Sequence, residues 1–196
     1  QKRSRKAYEE QKDFIGNASH ELQTPLAISL NKLDMLANSG ELNEEQMNLL
    51  TQIFETLQRA TRLNKSLLLL SQIQNEQFVQ ASQQNLTQTS QRVLDDMLEV
   101  YSDKNITARY ETEAAFTPQM NDSLALVLIN NLMKNAIVHS PANSTINIKS
   151  NEKSITISNE GHTALDSKKI FTRFYRAGNS QTKDSTGLGL TIAKEI

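Results

Sequence analysis

Apolar residues recur at three- and four-residue steps through the first third of the chain. Phe14, Ala18, Leu22, Leu26, Leu30 or Leu33, and Leu36 form one stripe, with the period of an amphipathic helix. Asn38, Ser39 and Gly40 stop it, because these residues leave the helical backbone region easily. Asn43 followed by Gln46 is a capping-box pattern that opens a second helix. Met47, Leu50, Ile53, Phe54, Leu57, Ala60, Leu63 and Leu67 then keep near-heptad spacing. Two long amphipathic helices with a short connection predict an antiparallel hairpin. One hairpin cannot bury both stripes, so the pattern predicts a homodimer whose hairpins close a four-helix bundle.

The pattern then changes. Gln72 to Gln84 is rich in Gln, Asn and Ser and reads as a linker. Leu86–Tyr101 is predicted as amphipathic helix, Ile106–Glu111 as a strand, and Asn121–Val138 as a helix opened by Asn and Asp. Thr145–Lys149 and Ser154–Ser158 read as strands joined by a turn around Asn151 and Glu152. Phe171–Lys183 is loop-like, and Gly187–Ile196 begins a further helix. Helices with a mostly antiparallel sheet in this order predict an α+β fold, with an α/β sandwich after the helical hairpin. The expected domains are 1–77 and 78–196.

Composition narrows the chemistry. The 196 residues allow one large domain or two small ones. Lys and Arg number 21 against 22 Asp and Glu, so no net field favours nucleic acid, and none is expected as a partner. The chain has no cysteine, which excludes disulfides and thiolate metal sites and fits a reducing compartment. The longest apolar run, Leu67–Leu70, is far too short to span a bilayer. No signal peptide opens the sequence. The basic start, QKRSRK, reads as a solvated helix end or a juxtamembrane segment.

The segment FIGNASHELQTPL, from Phe14 to Leu26, concentrates reactive groups. A neutral, exposed imidazole accepts phosphate, and the Glu21 carboxylate beside His20 can hold the ring in its reactive tautomer and take its proton. Pro25 inside a helical pattern removes a backbone hydrogen bond at a cost of roughly 3 kcal/mol. The rival zinc motif H-E-x-x-H fails because Thr24 stands where the second histidine is needed. Two later segments, NNLMKNAIVHS and STGLGLTIA, carry a helix-borne asparagine pair and a glycine pair.

Together the three segments resemble the sensor histidine kinases of two-component systems. HELQTP is similar to that family's phosphoacceptor box, with Gln23 in place of its usual basic residue. By this resemblance His20 is the phosphorylated residue. Thr24, one turn along, would help position water for dephosphorylating the partner's aspartyl phosphate. Asn131 and Asn135 match the asparagine box: Asn135 would bind Mg²⁺ through its amide oxygen, the ion bridging the ATP phosphates, and Asn131 would support the same triphosphate. Val138 and His139 replace the usual lysine and aromatic, which leaves His139 as the ring for adenine to stack on.

Asn159-Glu160-Gly161 falls where the family has Asp-x-Gly-x-Gly, so Asn159 and Gly161 would meet adenine, with Thr163 at the second glycine. Ile170–Arg176 (IFTRFYR), with Phe171, matches the phenylalanine box at the base of the lid over ATP. Gly187, Leu188 and Gly189 match the last glycine box, whose backbone N–H groups would approach phosphates; Ser185 replaces its first glycine. A Rossmann reading fails on Ile192, and there is no P-loop lysine.

Each box alone reads blandly: a polar helix face, a turn, an aromatic patch. Five in the family's order are specific. The family's fold continues past the helix in which Ile196 lies, so the nucleotide half is expected to lack its C-terminal end. The resemblance implies a γ-phosphoryl transfer from Mg·ATP to His20, then to an aspartate on a response-regulator receiver domain. It implies a cytoplasmic catalytic portion of a membrane-anchored inner-membrane sensor. Two other readings remain at this stage: a catalytically weakened dimeric scaffold, and a coiled-coil adaptor without a nucleotide pocket.

Overall fold

The computed structural model describes the backbone of residues 2–161, 165–175 and 186–196, with side chains from residue 15 onward. Two units form. One ends at Gln77 and also takes in the run up to Leu188; the other starts at Phe78 and includes Gly189–Ile196.

The first unit is a helical hairpin of α1 (Lys2–Ala37) and α2 (Glu44–Gln74). α1 continues through Pro25 without ending there. Gly40 makes the turn at φ 74°, a conformation that costs glycine little. The capping box closes α2: Asn43 Oδ1 accepts from the Gln46 N–H at 2.9 Å, and Gln46 Oε1 accepts from the Asn43 N–H at 3.0 Å. Glu44 and Glu45 in the first turn complement the helix dipole. α2 runs to Gln74, so the linker expected from Gln72 begins later; helical hydrogen bonding and the packing of Leu70 and Ser71 outweigh the polar composition there. The hairpin alone buries little of its stripes. Leu50, Leu68 and Leu70 are buried, whereas Leu22, Ile28, Met35, Leu36, Met47, Leu49 and Ile53 stay exposed.

The second unit opens with β1 (Ser82–Gln83) and α3 (Leu86–Val100), capped by Asn85, whose side chain accepts from the Gln88 N–H. A 3₁₀ turn at Ser102–Lys104 leads into β2 (Thr107–Thr112). Then come β3 (Gln119–Met120), α4 (Asp122–His139), β4 (Thr145–Asn151), β5 (Ser154–Ser158) and α5 (Gly189–Glu195). Asn121 caps α4 through the N–H groups of Ser123 and Leu124. The main sheet has the order β2-β4-β5. β4 and β5 form the expected antiparallel hairpin, with Ile148 opposite Ile157.

The expectation of a mostly antiparallel sheet is corrected by β2, which pairs with β4 in parallel, Thr107 beside Thr145. The chain between them includes α4, and a helical crossover returns a strand in the same direction. The two-residue ladder of β1 with β3 was not expected either. One face of the sheet packs on α3 and α4. Ile146 and Ile148 alternate inward and meet Leu86, Val93, Leu94, Ile129, Met133 and Ile137 in a single apolar core. This core fixes α4 against the sheet and sets the direction in which its asparagines point.

Candidate active site

In the helical unit, His20, Glu21 and Thr24 are all exposed on α1, and Thr24 lies one turn beyond His20 on the same face. Because Pro25 has no N–H, the Glu21 carbonyl lacks its intrahelical donor. Ser29 Oγ donates to the Pro25 carbonyl at 2.8 Å on the next turn. Thr51, Thr56 and Thr61 on α2 each bond back to the carbonyl four residues earlier. Thr24 makes no such bond among the described residues, so its hydroxyl is free to donate and accept. A cavity of about 120 Å³ opens beside His20, between Asn17 on α1 and Ser71 and Gln72 on α2.

In the second unit, the asparagine helix sorts its amides. Asn130 Nδ2 donates to the Leu126 carbonyl at 2.7 Å, and Asn131 Nδ2 donates to the Val127 carbonyl at 3.0 Å. Asn135 is half-buried, and its amide has no hydrogen-bond partner among the described residues. Asn131 Oδ1 faces Gly189, where an added Cβ would come within 3.0 Å of it. α5 packs on α4 at this point. Thr191 Oγ1 donates to the Phe171 carbonyl at 3.1 Å, and Lys194 Nζ lies 5.8 Å from the Phe171 ring centroid. The phenylalanine and glycine boxes are therefore joined through side chains of α5. Phe174 is exposed and holds a φ of 63°, an uncommon conformation for a residue with a Cβ.

Gly187 has a φ of 70°, which a side chain would strain, and Leu188 is fully buried. Asn159 follows β5, and its Nδ2 donates to the Glu160 carbonyl at 2.8 Å, which leaves Oδ1 as the acceptor. Gly161 beside it is exposed. Thr163, Arg176 and Ser185, with the rest of the loop to Lys183, lie outside the described residues.

His139 ends α4. Its ring is exposed by area yet flanked closely enough to be partly desolvated. That desolvation, and then the Lys104 ammonium, hold its pKa below the ordinary histidine value. Lys104 is a residue that sequence reasoning missed. Its Nζ donates to the carbonyls of Ile137, Val138 and Ser140 at 2.8, 2.9 and 3.0 Å, capping the helix that carries both box asparagines. A lysine in a polar loop gives no signal of this in the sequence. Thr191 was missed because its partner, the Phe171 carbonyl, lies 20 residues away in the sequence.

Asn135 supplies a hard, unengaged amide oxygen of the kind Mg²⁺ takes. Among the described residues no cluster of three His, Asp or Glu side chains offers another metal site. The residues present therefore fit an ion held by one protein oxygen together with substrate phosphates.

Comparison with known proteins agrees with this geometry. Residues 10–76 match the His Kinase A (phospho-acceptor) domain, and residues 121–196 match the family described as Histidine kinase-, DNA gyrase B-, and HSP90-like ATPase. The chain is 30% identical over 187 residues to Sensor protein QseC of Salmonella typhi, a match covering 93% of this chain and 41% of that protein. It is 32% identical over 192 residues to Heme sensor protein HssS of Staphylococcus epidermidis, covering 93% of this chain and 41% of that one. The chain thus spans about two fifths of the length of these relatives. Its fold is shared with full-length ShkA in complex with AMPPNP, at a TM-score of 0.74 and 19% identity, over 93% of this chain and 40% of that one. With a phosphoacceptor hairpin followed by an ATPase fold, in the family's own order, the chain belongs to the sensor histidine kinases of two-component systems.

Proposed function

We propose that this chain binds Mg·ATP against α4 and α5 of its second unit and transfers the γ-phosphoryl group to a ring nitrogen of His20. Residues 1–77 act as the dimerisation and phosphotransfer domain, and 78–196 as the nucleotide domain. In the transfer, a lone pair on the imidazole forms the N–P bond as the bond to the β–γ bridging oxygen breaks. ADP leaves, and Glu21 takes the displaced ring proton. Catalysis of this kind is mostly positioning and charge neutralisation. Mg²⁺ on Asn135 would neutralise phosphate charge. Gly187, Leu188 and Gly189 would present backbone to the phosphates, while His139, Asn159, Gly161 and Phe171 would border the adenine and lid. The relative solved with AMPPNP supports a nucleotide in this fold.

The observation that carries the reading is the contrast on α4. Two neighbouring asparagines are tied to their own helix, and Asn135 is left unengaged in a half-buried position. The phosphoryl group then passes to a response-regulator aspartate. The exposed apolar stripes of α1 and α2 support a second copy of the hairpin as partner. Among the described residues no helix is long and apolar enough to cross a membrane. The greater length of the sensor relatives supports a cytoplasmic core attached to a membrane anchor in the whole protein.

The test is ATP labelled in its γ-phosphate, with His20→Gln beside wild type. Label is expected on wild type and none on the variant, with dimer and ATP binding retained. Undiminished acid-labile label in the variant would remove His20 from this role. ATP binding without label in the wild type would instead leave a dimeric scaffold.

A further inference from the structure

The buried polar side chains described in the helical unit are Ser19, Asn64 and Ser71. Ser19 and Asn64 stand at the level of the turn that carries His20. Asn64 Nδ2 donates to the Ser19 carbonyl at 2.6 Å, and both residues are at most 5% exposed. Ser19 is the chain neighbour of His20. Ser71 follows Asn64 by seven residues, two turns along the same face of α2. One turn before His20 stands Gly16, and a Cβ there would meet Ser71 Oγ at 3.0 Å. The backbone from Gly16 to Ser19 is therefore approached twice from α2, while His20 faces solvent.

An apolar side chain at position 64 would pack the hairpin without the desolvation cost of an amide. What an amide adds is direction. A hydrogen bond to one particular backbone carbonyl fixes both the axial position and the rotation of α1 against α2, and a buried polar residue in a bundle is best attested in such a register role. In-line transfer depends on such placement: a displacement of about 1 Å costs on the order of a hundredfold in rate. We propose that Asn64, assisted by the Ser71–Gly16 contact, is a positioning residue for phosphorylation. It clamps the turn so that the imidazole of His20 is presented at a fixed rotation.

This inference rests on His20 being the phosphoacceptor. The experiment compares wild type and Asn64→Leu in the full-length protein, measuring autophosphorylation across ATP concentrations alongside the thermal midpoint. The clamp predicts a kcat lower by about tenfold or more, a KM for ATP unchanged within about twofold, and a midpoint equal to or above wild type. A merely structural residue would lower the midpoint and leave turnover per folded protein unchanged, and that result overturns the clamp. So does a wild-type kcat in the variant.

If Asn64→Leu does not fold, Gly16→Ala decides. It favours the helix but collides with Ser71 Oγ. It should lower kcat in the same way, and Gly16→Ala with Ser71→Ala should restore it; wild-type turnover in Gly16→Ala alone overturns the clamp. Absence of label on wild-type His20 would defeat the phosphoacceptor reading itself. A labelled wild type with equally labelled variants would defeat the clamp alone.

Discussion

Gly189 and Asn131 meet so closely that a Cβ on the glycine would stand 3.0 Å from Asn131 Oδ1. The asparagine cannot turn away freely, because its Nδ2 is bonded to the Val127 carbonyl. Gly189 is thus a packing requirement between α5 and α4, beside its proposed role as a backbone surface for phosphate. Overpacking of this kind costs about 1–3 kcal/mol. Gly189→Ala is expected to weaken ATP binding about fivefold or more, read by calorimetry with the fold verified by circular dichroism. Equal affinity in the variant would show that the gap is slack.

What the sequence made legible was local. The period of Phe14 to Leu36, the Asn43–Gln46 cap and the Asn121 cap depend on neighbours a few residues apart, and the helices they predict are present. The asparagine and glycine boxes also stood out, because their residue types are unusual at their positions. What stayed hidden was long-range. Asn64 reaches Ser19 across 45 residues, and Lys104 reaches the end of α4 across 33 to 36. Neither has a residue type that announces its partner. Periodicity told which face of a helix is apolar, but not what covers it, and Leu22 and Ile53 remain exposed on the single hairpin. The parallel pairing of β2 with β4 was likewise settled by the crossover and not by the alternation of either strand.

Ser90 is fully buried on α3, and its Oγ has no hydrogen-bond partner among the described residues. An unpaired buried hydroxyl costs about 1–3 kcal/mol, and alanine is also the better helix former. Ser90→Ala is therefore expected to stabilise the second unit by about 1 kcal/mol, with no change in ATP affinity. Urea denaturation followed by calorimetry checks both. A lower urea midpoint in the variant would mean that the hydroxyl has a partner after all.

His139 gives the second unit a pH dependence. Its folded pKa lies below the unfolded value, first through desolvation and then through Lys104. For a base so shifted, the neutral form is the one favoured by folding. The stabilisation is complete above the unfolded value of about 6.5 and is lost as pH falls through the folded value. The urea midpoint of wild type should drop between about pH 7.5 and 5.5 by more than that of His139→Gln, which has no ring to protonate. Parallel curves for the two proteins would remove His139 as the source.

Thr24 offers the last test, and the structure sharpens it. A helical threonine commonly spends its hydroxyl on the carbonyl four residues earlier, as Thr51, Thr56 and Thr61 do here. For Thr24 that carbonyl belongs to His20, and the bond is not made. The exposed hydroxyl, one turn beyond His20, is left to donate and accept with water. If Thr24 orients the water that attacks the regulator's aspartyl phosphate, Thr24→Ala should leave phosphorylation of His20 within about twofold of wild type, since no bond to the imidazole is lost. It should also slow removal of phosphate from the regulator by about a hundredfold, the low end of what one positioned acid–base group contributes. The measurement is decay of labelled response regulator with and without each form of the kinase. Decay as fast with the alanine form as with wild type would show that Thr24 takes no part in dephosphorylation.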